Sequence, residues 1–206
     1  MNLHNQKTGH NRPMPSLVIV HGLKESGKST LADYYCKEYG YKRLKMAGPL
    51  KNMIRSLLKD GGVDPSLIEE YVEGNLKEVP IPQMSGRTSR HLMQTIGDEW
   101  RRMQSEDFWI EIALGKLKQH FSSDEKVIID DIRYHNEFGR LSVYDPLSFA
   151  ITRGTKHFEP IEKGRHLGEI PMAVEGFDFH IANDYQDKDS LWREADSYFD
   201  KWARLL

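Results

Sequence analysis

The feature that most constrains this chain is a short glycine-containing loop between two regular elements. Ser16 to His21 is an unbroken apolar run of mostly β-branched type, and Gly22-Leu23-Lys24-Glu25-Ser26-Gly27-Lys28-Ser29 follows it directly. The run reads as a parallel strand buried on both faces, and the residues from Lys28 to about Glu38 read as a helix. The loop satisfies G-x-x-x-x-G-K-[ST] in the strand-to-helix setting that the pattern needs. Its glycines let successive backbone N–H groups turn inward, and the positive end of the helix adds its field, so the loop is a nest for phosphate.

Composition agrees with one compact domain. The 206 residues carry a formal net charge of -2, with 29% charged and 38% hydrophobic residues. That length buries a substantial core without metal or disulfide, and the small net charge argues against binding long nucleic acid through a basic surface. No apolar run is long enough to span a bilayer. Residues 1–15 are polar, contain two prolines and lack a signal core, so a flexible tail ahead of a domain over 16–206 is expected. The single Cys36 allows no internal disulfide and fits a reducing, cytoplasmic setting. The histidine spacing fits no common zinc pattern.

Beyond the loop, the pattern predicts a strand over Tyr41 to Met46 and a helix from Pro49 until Gly61-Gly62. A short helix over Pro65 to Val72, a loop from Gly74 to Gly86, and helices over Ser89 to Met103 and Glu106 to Phe121 follow. Strands are expected at Val127 to Ile132, Leu147 to Thr152 and Phe179 to Ala182. A closing helix carries Leu191, Trp192, Ala195, Tyr198, Phe199, Trp202 and Leu205 on one face. The alternation implies an α/β fold of the P-loop NTPase type. Its mostly parallel sheet is covered on both faces, and ligands gather at the carboxyl ends of the strands.

Lys28 is placed to reach the β- and γ-phosphates of ATP and Ser29 to hold Mg²⁺, with Gly22, Lys24, Glu25, Ser26, Gly27 and Thr30 completing the loop. No N-K-x-D run is present, which argues against a guanine switch, and the chain is short for a motor. On the helix Ser89 to Met103, Arg90, Gln94, Gly97 and Arg101 group near one face while Leu92, Met93, Ile96, Trp100 and Met103 group on another. Guanidinium forks and an amide suit a monophosphate and a base, although a solvated face has the same composition. Strand alternation through Val127 to Ile132 puts Asp131 and Arg133 on one side, either as a catalytic carboxylate and cation or as a structural ion pair.

These pieces together resemble the deoxynucleoside monophosphate kinases of bacteriophages, within the P-loop nucleotide kinase superfamily. The matching residues are Gly22 to Thr30, Ala47 to Lys51, Thr88 to Gln94 running to Gly97 and Arg102, Asp107-Phe108-Trp109, Asp131 to Glu137, and Phe179 to Asp184. The resemblance implies transfer of the γ-phosphate of ATP to a deoxynucleoside monophosphate, with Mg²⁺. It brings Lys51, Arg90, Gln94 and Arg102 to the acceptor, with Trp109 beside them, in a helical region of about 48–122. Asp131 and Arg133 stand at the centre. The helical wheel selects Arg101 where the family spacing selects Arg102, and a bend after Gly97 reconciles them. A lid over about 154–172 is implied, with Arg165, His166 and Glu169, and Arg153 just ahead of it is expected among the catalytic residues. Here Gly168 replaces the serine that the family often shows, which puts that serine's role in doubt. A related small-molecule kinase of dephospho-coenzyme A or phosphomevalonate type, a slow regulatory ATPase, and a homodimer all stay open.

Overall fold

The first strand is built as its residues require. In the computed structural model, which describes residues 14–154, 172–184 and 187–202, β1 is Leu17–His21. Leu17 and Ile19 enter one apolar core and Val18 and Val20 the other, because side chains alternate across a strand. Both faces of β1 are therefore dry, which explains its uninterrupted apolar run.

Four further strands complete a parallel sheet. They are β2 (Lys42–Arg43), β5 (Val127–Ile129), β6 (Leu147–Thr152) and β7 (Phe179–Ala182), in the order β2-β5-β1-β6-β7. Helices α1 (Lys28–Tyr39) and α8 (Lys188–Trp202) cover one face with Leu31, Ala32, Tyr35, Leu191, Ala195 and Phe199. Helices α6 (Phe108–Ser122) and α7 (His135–Ser142) cover the other with Ile110, Leu114, Leu117 and Leu141. The fold is α/β with a parallel central sheet flanked by helices.

A third apolar cluster lies apart from the sheet. It joins Ile54 and Leu58 of α2 (Gly48–Asp60), Ile68 and Val72 of α3 (Pro65–Val72), and Ile81 of a hairpin, β3 (Pro80–Ile81) with β4 (Arg87–Thr88). Leu92, Met93 and Ile96, from α4 (Ser89–Thr95) and the turn after it, pack on the same cluster. Local chemistry starts these helices. Pro49 sits in the first turn of α2, Asp64 accepts the Ser66 N–H at 2.9 Å ahead of α3, and Thr88 accepts the His91 N–H at 3.1 Å ahead of α4.

The structure departs from the sequence reading in four places. β2 is shorter than Tyr41 to Met46, because the N–H groups of Met46 and Ala47 turn away to the Asp131 carboxylate. β5 ends at Ile129 instead of Ile132. The segment read as a loop, Gly74 to Gly86, contains β3, which pairs with β4 just beyond it in a hairpin whose prolines hid the strand pattern. Helix α7 had no counterpart in the periodicity, because Phe138 and Leu141 are its only large apolar side chains. No helix among the described residues is long and apolar enough to cross a membrane.

Candidate active site

Between β1 and α1 the backbone takes three positive φ angles, 154° at Gly22, 67° at Glu25 and 108° at Gly27. Gly22 lies against the carbonyl of Ile151 and the hydroxyl of Ser26, leaving no room for a Cβ. Asn183, buried just past β7, donates its amide to the Ser26 carbonyl at 2.7 Å, while its own N–H reaches Thr152 at 2.8 Å. The loop is thereby buckled to the sheet. Ser26 keeps a buried hydroxyl with no partner among the described residues. Lys24 pairs with Glu25 at 3.8 Å on the exposed rim. A cleft of about 480 Å³ runs from the loop past Thr30, Arg153, Asn183, Lys188 and Leu191.

Lys28 opens α1 and donates to the Leu23 carbonyl at 2.5 Å. Desolvation pulls its pKa down to about 8, against the attraction of Asp130 and with the charges of Arg133 and Lys45 assisting. The neighbouring Ser29 hydroxyl stands 3.2 Å from an oxygen of Asp130, across from the end of β5. Burial works to raise the Asp130 pKa, but hydrogen bonds from Arg43 and the Lys45 charge hold it below the usual carboxylate value. Arg43 Nε lies 3.0 Å and Lys45 Nζ 2.6 Å from the same carboxylate oxygen. Asp130, Arg43 and Lys45 are site residues that the sequence reading passed over.

Asp131 was expected beside Arg133 on one strand face. β5 stops at Ile129, so strand alternation does not extend that far. The Asp131 oxygens accept the N–H groups of Met46 at 2.9 Å and Ala47 at 3.1 Å, fixing the entry to α2. Desolvation raises its pKa despite the Lys45 charge. Arg133 is exposed, yet close enough for its charge to act on Lys28.

The N–H groups of Arg133 and Tyr134 both donate to one Glu137 oxygen, at 2.6 and 3.0 Å. Burial lifts the Glu137 pKa from 4.5 to about 7, with the two N–H bonds opposing it. A folded-state pKa above the unfolded one binds an extra proton between 4.5 and 7, so this stability is full below 4.5 and lost as pH rises through 7. Wild type should lose on the order of 2 kcal/mol relative to Glu137→Gln between about pH 4.5 and 7.5. Urea denaturation at the two pH values checks this, and equal losses in both proteins would refute it.

The helix carrying the expected acceptor face is interrupted by a π-helical turn, Ile96–Trp100, before α5 (Arg101–Gln104). One extra residue in the turn advances the helical phase, so Arg102 takes the place that a regular helix would give Arg101. Arg101 is buried, donating to the Glu106 carbonyl at 2.6 Å and to Asp98 at 3.2 Å, with Tyr134 4.9 Å beneath it. Arg102, 45% exposed, holds Asp98 at 2.8 Å. Gln94 is half-buried. Trp109, expected at the acceptor, is 5% exposed in an aromatic cluster with Trp100 and Phe108, its indole N–H lacking a partner among the described residues.

Lys51 pairs with Glu73 at 2.7 Å and Arg90 pairs with Glu78. Lys77, unnoticed in the sequence, donates to the Glu73 carbonyl at 2.8 Å. Desolvation lowers its pKa against the pull of Glu73, and Lys51, Arg90 and Lys24 add to the shift. These four cations therefore share one patch that reaches the phosphate-binding loop. The lid residues Arg165, His166 and Glu169 lie outside the described residues, as does most of the expected N-terminal tail.

No protein-family model matches the chain. A protein of Acanthamoeba polyphaga mimivirus described as a "Putative deoxynucleotide monophosphate kinase" is 26% identical over 133 residues, covering 59% of this chain and 65% of that protein's length. Among solved structures, a "putative kinase" from Chloroflexus aurantiacus J-10-fl is 12% identical with a TM-score of 0.45, over 91% of this chain and 97% of that one.

Proposed function

We propose that the chain is an ATP-dependent phosphotransferase, and specifically that it moves the γ-phosphate of ATP onto a deoxynucleoside monophosphate, giving ADP and the diphosphate. The observation that carries this is the Gly22–Ser29 nest with Lys28 at its end and Ser29 3.2 Å from buried Asp130, bordered by the Lys51, Lys77 and Arg90 patch. The name of the mimivirus relative supports the choice of acceptor.

On this reading the nest N–H groups hold the triphosphate, and the cleft past Arg153 and Lys188 takes the nucleoside of ATP. Lys28 pairs with the β- and γ-oxygens, and Arg133 and Arg153 add positive charge around the transferring group. Lys51, Arg90 and Arg102 draw the acceptor phosphate, and Gln94 offers both a donor and an acceptor to the base. The donor set fits Mg²⁺, a hard cation suited to one hydroxyl, a nearby carboxylate and phosphate oxygens. Ser29 would hold it with Asp130 behind, and the ion supplies charge neutralisation at the phosphates. Among the described residues no group of three His, Cys, Asp or Glu side chains stands where it would cage a metal by itself. On this reading catalysis comes from positioning and charge neutralisation by Lys28 and the nest, with no covalent intermediate.

The test is incubation with Mg·ATP and each deoxynucleoside monophosphate and its ribose counterpart in turn, with separation of the products. Diphosphate formation from a deoxynucleotide is the expected result. No reaction with any of them while ATP is bound would move the search to other phosphorylated metabolites. ATP hydrolysis indifferent to every acceptor would favour a regulatory ATPase.

A further inference from the structure

Asp130 has more cations around it than one carboxylate requires. Arg43 ends β2 and Lys45 lies two residues beyond it. Both reach Asp130, whose side chain is fully buried, and the Ser29 hydroxyl lies 3.2 Å from its other oxygen. The two cations differ in what else holds them. Arg43 also pairs with Asp33 at 2.5 Å and is fixed from two directions. Lys45 has Asp130 as its one ion-pair partner among the described residues, and its side chain is 34% exposed. A flexible ammonium with one partner and access to water leaves easily, whereas a guanidinium held by two carboxylates does not.

We propose that Lys45 is a displaceable counter-ion, neutralising Asp130 until a divalent cation reaches the Ser29 hydroxyl and then yielding the carboxylate to that ion. The inference rests on the phosphotransfer reading above. Four cations, Lys28, Arg43, Lys45 and Arg133, surround the carboxylates of Asp130 and Asp131, with Asp33 also holding Arg43, so positive charge predominates by one. A dication arriving alone meets that excess. Arriving with a polyphosphate, it brings the negative charge that offsets it and gives the released ammonium a new partner. Lys45 thus sets a cost on the coupling of metal binding to nucleotide binding, because the ion must displace it from Asp130, and it would do so as a positioning residue acting through that carboxylate.

Calorimetry of ADP binding with and without Mn²⁺ reads that coupling directly, as the ratio of the two affinities. Lys45→Met is expected to raise the ratio by roughly fivefold, the worth of a partly exposed ion pair. Lys45→Arg should return it toward the wild-type value, and Asp130→Asn should lower it. Circular dichroism verifies folding, and Lys45→Gln replaces Lys45→Met if the latter does not fold. A ratio unchanged or lowered by removal of the Lys45 charge overturns the proposal and leaves the phosphotransfer reading intact. Failure of the wild type to bind ADP at all, with or without Mn²⁺, overturns both.

Discussion

Lys28→Ala should fold like wild type and turn over at least about a hundredfold more slowly, because it removes the charge that faces the breaking bond. The fold should not suffer. Desolvation has already driven the Lys28 pKa down to about 8, so the folded protein holds this ammonium at a cost that alanine does not incur. The same shift predicts a pH dependence. Lys28 is charged below about pH 8 and neutral above it, so kcat/KM for ATP, which reports the free enzyme, should fall as pH rises through that value. Bound phosphate favours the charged form, so kcat should fall at higher pH than kcat/KM does. Lys28→Arg, which stays charged throughout, should lack this alkaline limb. A rate for Lys28→Ala within a few-fold of wild type, or an alkaline limb surviving in Lys28→Arg, would remove Lys28 from the proposed chemistry.

Asp130→Asn should cost both activity and stability, and the comparison with Asp131→Asn separates their roles. The amide cannot neutralise Arg43 and Lys45, which then face each other beside a buried neutral group. Breaking a fully buried pair in this way costs roughly 3–5 kcal/mol, and the partial exposure of both cations brings the expectation down to about 2 kcal/mol. Turnover should drop about a hundredfold, with a raised Mg²⁺ requirement, since the carboxylate behind Ser29 is gone. Asp131→Asn instead loses one of the two acceptors that hold Met46 and Ala47. It should disturb the entry to α2 and acceptor affinity while leaving the Mg²⁺ requirement as in wild type. Titrating Mg²⁺ at saturating ATP for both variants is the check. A Mg²⁺ requirement raised by Asp131→Asn and not by Asp130→Asn would exchange the assignments.

The middle of the sheet was legible because β1, β5 and β6 bury both faces and so write largely apolar runs. β6 falls at Leu147–Thr152 and β7 at Phe179–Ala182, the same residues that the runs mark. The hairpin was not legible, since Pro80 and Pro82 interrupt any period across it. Asp130 was missed for a related reason. The apolar run Val127 to Ile129 looks continuous with Ile132, so alternation was carried through residues that have left the strand, and it selected Asp131. Lys45 and Lys77 lacked any local mark, because Asp130 lies 85 residues from Lys45 and the cations acting on Lys77, namely Lys51, Arg90 and Lys24, come from other elements.

What the sequence determined by itself was whatever depends on neighbours along the chain. That includes the nest at Gly22–Ser29, whose glycines and following helix are written consecutively, and the α/β alternation, whose periods need only short windows. Tertiary structure alone decided which carboxylate meets Ser29. Strand lengths, and hence the facing of Asp130 and Asp131, follow from how β2 ends against β5 and from where the Met46 and Ala47 N–H groups find acceptors. It also decided that Arg102 takes the helical phase expected of Arg101, because a π turn is set by the packing around Ile96–Trp100 and has no period of its own. Loop and helix-start chemistry acts over a few residues and is readable in order. Charge pairing acts through space, and only the folded chain brings its members together.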